Sequence, residues 1–263
     1  MTIADNGTHP IIALWSHPRS MSTAVERIMR ERGDLDCLHE PFMYYYYIDR
    51  KIRIMPHFDV DADQPISYQD IVQSLINRTQ SSAVFIKDMS YYVLPKMLGD
   101  EVLLKRITHS FLIRNPLKSI LSYHKLDNEV TCDEIGLQAQ WQHFEKIQQA
   151  TKSSPVVIEA EAVQANTRTV VSYYWQQLGL DYRAEAFDWQ DKPIPDDWAQ
   201  VEGWHETVSG SQSIRPQARE SENELRNQFQ QYVEKTQNYH LSDYLDFHWP
   251  YYEKLREHSR EFY

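Results

Sequence analysis

The sequence predicts an α/β fold: a parallel β-sheet with helices on both faces. Three observations carry this expectation. Short apolar runs with the look of buried strands recur along the chain, at Ile11–Trp15, 83–88 (AVFIKD), 108–114 (THSFLIR) and 155–159 (PVVIE). Between them lie stretches whose apolar residues return at helical spacing. Helix start and stop signals stand at the junctions, so strands and helices alternate, and alternation of that kind builds parallel sheets.

Residues 1–9 read as a short flexible polar arm. The strand at Ile11–Trp15 ends in a loop, after which Val25, Ile28 and Met29 mark a helix that Gly33-Asp34 stops. The stretch DCLHEPF (36–42) is a short strand ending at Glu40, because Pro41 cannot continue a central ladder. Residues 43–66 are irregular and aromatic, with Tyr44–Tyr47 and His57-Phe58; a loop of that length favours a lid or a binding role. Tyr68–Arg78 is predicted helical, and AVFIKD and THSFLIR are buried strands. A helix starts near Pro116, a residue suited to the first helical position. A longer amphipathic helix carries Ile135, Trp141, Phe144 and Ile147, and PVVIE is the last strand. Asn166 or Thr167 caps a helix through Val170, Val171, Tyr174, Trp175 and Leu178, which Gly179 closes. Residues 204–217 read as a polar loop and 218–263 as a charged helical segment. With no internal repeat and no Pro-, Gly- or Ser-rich linker, residues 1–263 are expected to form one domain.

Composition narrows the function. Against 38 Asp and Glu stand 27 Lys and Arg, a formal charge of −11. An acidic chain lacks the basic surface on which nucleic-acid and anionic-membrane binding depend, so any anionic ligand needs a local site. Two cysteines, Cys37 and Cys132, make neither a disulfide framework nor a zinc pattern. The N-terminus lacks the pattern of a signal peptide, and no run of 18 uncharged apolar residues exists. A cytoplasmic protein is the expectation. The 17 Tyr, 7 Trp and 9 Phe supply core and can also line an apolar pocket.

In a parallel sheet, ligands sit beyond the carboxyl ends of the strands. Four residues are predicted at such ends: Arg19, Glu40, Lys87 and Arg114. After the first strand comes HPRSMSTA (17–24). The N–H groups at a helix start and the helix dipole attract anions there. The residues Ser20, Met21, Ser22 and Thr23 bring backbone and hydroxyl donors, and Arg19 a planar cation able to grip two oxygens. The stretch lacks the glycines and lysine of a Walker A loop. A second anion signal, RNPLKSILSYH (114–124), sets Arg114 at a strand end and Ser122 eight residues on.

Together these stretches resemble the sulfotransferase family, nearest its bacterial and fungal branch. HPRSMSTA is similar to that family's 5′-phosphosulfate loop, and RNPLKSILSYH to its 3′-phosphate motif, in the same chain order and about 95 residues apart. Softer matches are 156–180, with its closing QQLGL, and PYYEKL at 250–255. The resemblance implies a P-loop NTPase-like architecture and an enzyme that uses 3′-phosphoadenosine-5′-phosphosulfate (PAPS), releases the bisphosphate PAP, and requires no metal. Its partners are then a nucleotide donor and a small acceptor bearing a hydroxyl or amine.

Within that resemblance Arg19 and Lys87 stabilise charge on the transferred group. The cytosolic branch places its catalytic histidine two positions after the lysine, where this chain has Met89. Glu40 is therefore the expected base, 21 residues after Arg19, similar to the glutamate of the tyrosyl-protein branch. His39 is its rival, although strand alternation points it to the opposite face. Asp88, His57 and Tyr45 are further candidates beside the acceptor, with two of the four tyrosines at 44–47 facing core. Ser209, Ser211 and Arg215, in the polar loop, are candidates for reaching the nucleotide. An ATP-dependent kinase of P-loop type and a non-catalytic nucleotide-binding module are the alternatives; the missing Walker lysine weighs against the first, and the presence of Glu40 and Lys87 against the second.

Overall fold

The structure is a computed structural model that describes residues 8–190 and 192–259. Five parallel strands form one sheet: β1 (Ile11–Ser16), β2 (Asp36–His39), β3 (Val84–Met89), β4 (Ile107–Ile113) and β5 (Val156–Glu159). Their order is β2-β3-β1-β4-β5, with β1 at the centre. Ile11 of β1 pairs with Val84 on one side and Ile107 on the other. The chain leaves β1 toward β2 and later crosses from β3 to β4. The winding reverses at β1, so the carboxyl ends of β1, β3 and β4 flank the crevice where such sheets bind ligands.

Twelve helices surround the sheet in the described residues: α1 (Ser22–Glu31), α2 (Tyr68–Arg78), α3 (Ser90–Val93), α4 (Lys96–Gly99), α5 (Glu101–Arg106), α6 (Pro116–His124), α7 (Leu137–Thr151), α8 (Ala160–Ala165), α9 (Thr167–Gln177), α10 (Glu202–Ser209), α11 (Glu222–Thr236) and α12 (His240–Ser259). Two apolar layers hold them in place. On one face Ile11, Ala13 and Trp15 pack with α2 to α7, α11 and α12; on the other Ile12 and Leu14 meet Val25, Ile28, Met29 and Trp175 of α1 and α9. Successive residues of one strand thus feed opposite layers, as a sheet covered on both faces requires.

Several local expectations need correction. β2 ends at His39, not Glu40, because Glu40 adopts φ +43°, which breaks the extended backbone one residue before Pro41. β3 runs to Met89, so Lys87 lies inside the strand rather than at its end. Tyr45–Asp49 is a π-helical turn, and all four tyrosines at 44–47 are buried, not two. Edge-to-face contacts explain this, Tyr46 packing on both Tyr47 and Tyr91 with ring centroids 4.9 and 5.2 Å apart. Residues 90–106, unassigned from sequence, hold α3 to α5, and the stretch read as a polar loop at 204–217 begins inside α10. Of the arm expected at 1–9, residues 1–7 lie outside the described residues, while the His9 amide donates to the Thr79 carbonyl. Among the described residues no helix is long and apolar enough to cross a membrane.

Candidate active site

A cavity of about 540 Å³ opens beyond the carboxyl ends of the central strands. The loop after β1 forms one wall. Arg19 (φ +60°) and Met21 (φ +68°) both take the left-handed conformation, and the turn closes by a bond from the Ser20 amide to the His17 carbonyl. α1 then starts with no side-chain cap. Ser22 is therefore not a capping serine; it lines the cavity together with Met21 and Thr23. Ser20, expected to bind the nucleotide, is fully buried and is not part of the cavity wall, and its Oγ has no hydrogen-bond partner. A helix start and an unsatisfied hydroxyl on one loop are suited to holding anionic oxygens.

The second motif meets the first directly. Arg19 Nε donates to Ser122 Oγ (3.0 Å) and its Nη1 to the Trp204 carbonyl (2.7 Å). Arg114 Nη1 donates to the carbonyl of Arg19 (2.6 Å), and the Arg114 amide to Nε2 of His17 (3.0 Å). Both guanidiniums sit below their ordinary pKa: burial is the main cause for each, and for Arg19 repulsion from Arg114 adds to it. Two desolvated cations lining one cavity favour an anion between them. Burial and the neighbouring Arg114 push His17 down to about 3, so it is neutral and accepts that backbone hydrogen bond.

Glu40 is the one carboxylate among the described cavity-lining residues, against Arg19, Arg114 and Arg215. Its Oε1 is bonded by Lys87 Nζ, and Tyr92 OH donates to Oε2 (3.2 Å). Lys87 is fully buried behind Glu40 and is not part of the cavity wall. His39, expected on the opposite face, instead has Nε2 3.7 Å from Glu40 Oε1, since the turn at Glu40 swings the two side chains together. Behind them lies Glu26, also fully buried, 3.8 Å from Lys87 Nζ and 2.6 Å from His39 Nδ1.

The remaining candidates divide. Arg215 is exposed and lines the cavity with Ser211 and Ser213, whereas Ser209 closes α10 outside the wall. Tyr45 packs in the core against Tyr68, and His57 is exposed against Gly203, so neither reaches the cavity. Asp88 is buried, accepts from the amides of Phe42 (2.9 Å) and Met89 (2.8 Å), and has its pKa raised by burial and by Glu40; it braces the turn after β2. Met89 lines the cavity and offers no base there. The aromatic wall expected from Tyr44–Tyr47 comes instead from Tyr91, Tyr92, Tyr123 and Trp204. Sequence reading missed these residues and Glu26. Ser90-Tyr91-Tyr92 follows β3 directly and so had a usable signal, whereas Glu26 looks like any surface glutamate paired with Arg30 four residues on. Among the described residues, no three His, Cys, Asp or Glu side chains cluster as metal ligands.

The sulfotransferase-domain family model matches residues 10–219. The chain belongs to the sulfotransferase family. Two Arabidopsis thaliana proteins, the branched-chain-amino-acid aminotransferase-like proteins 2 and 1, are 26% and 25% identical over 207 residues, 76% of this chain. The match covers 35% and 36% of them, so this sulfotransferase-family chain spans about a third of their length. Among solved structures it resembles a sulfotransferase domain of the curacin biosynthetic pathway (TM-score 0.48, 14% identity, 84% of this chain and 98% of that one). A mouse sulfotransferase solved with PAP is similar at TM-score 0.43 and 13% identity, over 90% of this chain and 88% of that one.

Proposed function

We propose that this chain acts as one sulfotransferase unit that moves a sulfuryl group from PAPS to a hydroxyl or amine of a small acceptor. The observation that carries the reading is the meeting of two candidate anion motifs, 95 residues apart in sequence, around one cavity where Glu40 is the lone carboxylate among the described residues. The residues fit the donor. Ser22, Thr23 and the start of α1 would hold its phosphosulfate end, and Arg114 and Ser122 its 3′-phosphate, with Ser213 and Arg215 bordering the same cleft. The donor supplies a sulfuryl group activated by its bond to phosphate.

Glu40 takes the proton of the acceptor's nucleophilic atom as that atom forms its bond to sulfur and the bond to the phosphate oxygen breaks. Once protonated, Glu40 no longer neutralises Lys87, and the freed positive charge lies beside the cavity when negative charge is passing to the departing phosphate. Arg19 is held from both sides, by Ser122 and by the Trp204 carbonyl, so its cation is in place before the reaction starts. The cations this reading uses are side chains. Tyr91, Tyr92, Tyr123 and Trp204 make an aromatic wall suited to a partly apolar acceptor. The free thiols of Cys37 and Cys132 fit a reducing, cytoplasmic setting.

Calorimetric titration with 3′,5′-adenosine bisphosphate, beside ADP and ATP with and without Mg²⁺, tests the donor. Micromolar binding of the bisphosphate alone is expected. A preference for Mg-ATP moves the chain to the kinase reading, and no binding of any nucleotide removes the donor assignment.

A further inference from the structure

The cavity has two ends of different chemistry, and sheet order sets the axis between them. Glu40 follows β2 and Tyr91-Tyr92 follow β3, whereas Arg114 follows β4 and Gln164 lies on α8, directly after β5. From β2 to β5 are four strand spacings, about 19 Å. The apolar wall divides the same way. Met89, Tyr91, Tyr92, Tyr123 and Trp204 belong to the layer that buries Trp15, while Met21 and Ile214 pack on the opposite layer, with α1 and α9. The aromatic end beside Glu40 faces the acceptor in the reading above. The end beside Gln164 is left for the uncharged part of the donor, its base.

Gln164 carries the one side-chain amide among the described residues of the cavity wall, and no described residue makes a hydrogen bond to that amide. The loop beside it is moored by three bonds. The Gln217 amide donates to the Gln164 carbonyl (3.4 Å), and Trp189 donates from its amide to the Gln212 carbonyl (3.0 Å) and from Nε1 to the Ser211 carbonyl (2.8 Å). These bonds bring Ile214 to the same end as Gln164. We propose that Gln164 selects the donor's base, its amide reading the edge of a 6-aminopurine that packs on Met21 and Ile214. This deepens the donor reading and rests on it. A primary amide sets one acceptor beside one donor, and adenine sets its 6-amino donor beside an unprotonated ring nitrogen, so two bonds form together. The thioether of Met21 and the branched chain of Ile214 give a flat ring apolar contact.

Two substitutions separate this role from simple packing. Gln164→Glu keeps the shape but offers two acceptors and no donor. Its carboxylate still meets the 6-amino group of adenine but opposes the N1 lone pair, whereas guanine presents it with two donors, N1–H and the 2-amino group. Added negative charge weakens every bisphosphate alike, so the ratio of affinities is the readout. That ratio is expected to move about tenfold toward guanine. Gln164→Leu removes both hydrogen bonds and keeps apolar contact. It should weaken adenosine 3′,5′-bisphosphate about tenfold and leave its 1,N6-etheno analogue nearly alone, because the etheno bridge has already removed the 6-amino donor. Gln164 is half-buried near the end of α8, so neither substitution opens a hole in the core.

The experiment needs no acceptor. Wild type, Gln164→Glu and Gln164→Leu are titrated by calorimetry with the 3′,5′-bisphosphates of adenosine, guanosine and 1,N6-ethenoadenosine. The proposal is supported if Gln164→Glu shifts the adenosine-to-guanosine ratio about tenfold toward guanosine and Gln164→Leu loses affinity for the adenosine compound alone. It is overturned if that ratio stays within about threefold of wild type. It is equally overturned if Gln164→Leu weakens the adenosine and etheno compounds by the same factor, since Gln164 would then act on ribose or phosphate. A wild type that binds none of the three strikes the donor assignment and takes this proposal with it. Binding with an unmoved ratio strikes Gln164 alone.

Discussion

Acid should unfold this protein from the loop that holds the proposed nucleotide. His17, His109 and His248 are buried, and burial pushes them from an ordinary value of 6.5 down to about 3, about 4 and about 4. Between those values and 6.5 the unfolded chain binds protons that the folded chain refuses, so stability is full above pH 6.5 and falls as pH drops through that value. At pH 5 each histidine withholds about 2 kcal/mol, and the three together about 6 kcal/mol, a large share of a normal folding free energy. Asp88 and Asp197 shift upward and offset part of this, whereas His39 and His143, also held low by burial, add to it, so about 6 kcal/mol is the share of these three groups alone. His17 has the greatest functional weight, because its charged form faces Arg114 and loses the bond to the Arg114 amide. Urea denaturation at pH 8, 7, 6 and 5 should show a progressive loss below pH 6.5. His17→Gln, whose amide oxygen can accept the same backbone N–H, should recover about 2 kcal/mol of the loss at pH 5. Stability that stays flat to pH 5, or a loss equal in wild type and His17→Gln, would refute the reasoning.

Four further outcomes test the site. Glu40→Gln should retain bisphosphate binding within about twofold and lose turnover by roughly 10² or more, measured as bisphosphate release. Arg114→Ala should weaken 3′,5′-adenosine bisphosphate at least about tenfold more than AMP by calorimetry, since a charged hydrogen bond is lost only for the former; equal loss would mean the 3′-phosphate is held elsewhere. Ser20→Ala removes a buried hydroxyl without a partner, so urea stability should hold or rise by up to about 1 kcal/mol. Gly136→Ala should cost about 1–3 kcal/mol in urea denaturation, because φ is +81° and the new Cβ would lie 3.1 Å from Tyr91 Cδ1 and 3.2 Å from His17 Cβ.

The sheet was readable because its strands are local. Each of β1, β3, β4 and β5 is a short apolar run whose burial on both faces leaves one pattern, and β1 to α1 is a single junction in sequence. The two stretches read as anion motifs are legible as strand-end loops for the same reason, each lying within about ten consecutive residues. What sequence hid is non-local. That Arg19 bonds Ser122, 103 residues away, depends on how β1 and β4 pair. The short helices at 90–106 carry no sustained period, and the tyrosines at 44–47 were assigned by alternation although a π-helical turn buries all four. Lys87 is expected at the end of AVFIKD, and a strand that runs on to Met89 puts it inside the sheet, behind Glu40.

The backbone explains the misplaced histidine. An extended strand sends His39 and Glu40 to opposite faces, so only one of them can reach a common centre. Glu40 at φ +43° ends the extension, and a residue without glycine's freedom is strained there. Three contacts hold it: Lys87 and Tyr92 on the side chain, and a bond from its own amide to the Lys87 carbonyl (2.8 Å). Arg19 and Met21 are in the same condition across the cavity. Of the seven described non-glycine residues with positive φ, these three line the cavity. Glycine in any of the three positions would relieve the strain and also free the loop, letting cation and carboxylate wander from each other. Ordinary residues held in left-handed backbone by contacts on either side keep Arg19 and Glu40 fixed before any ligand arrives, and a fixed charge needs no reorganisation, as the proposed transfer requires.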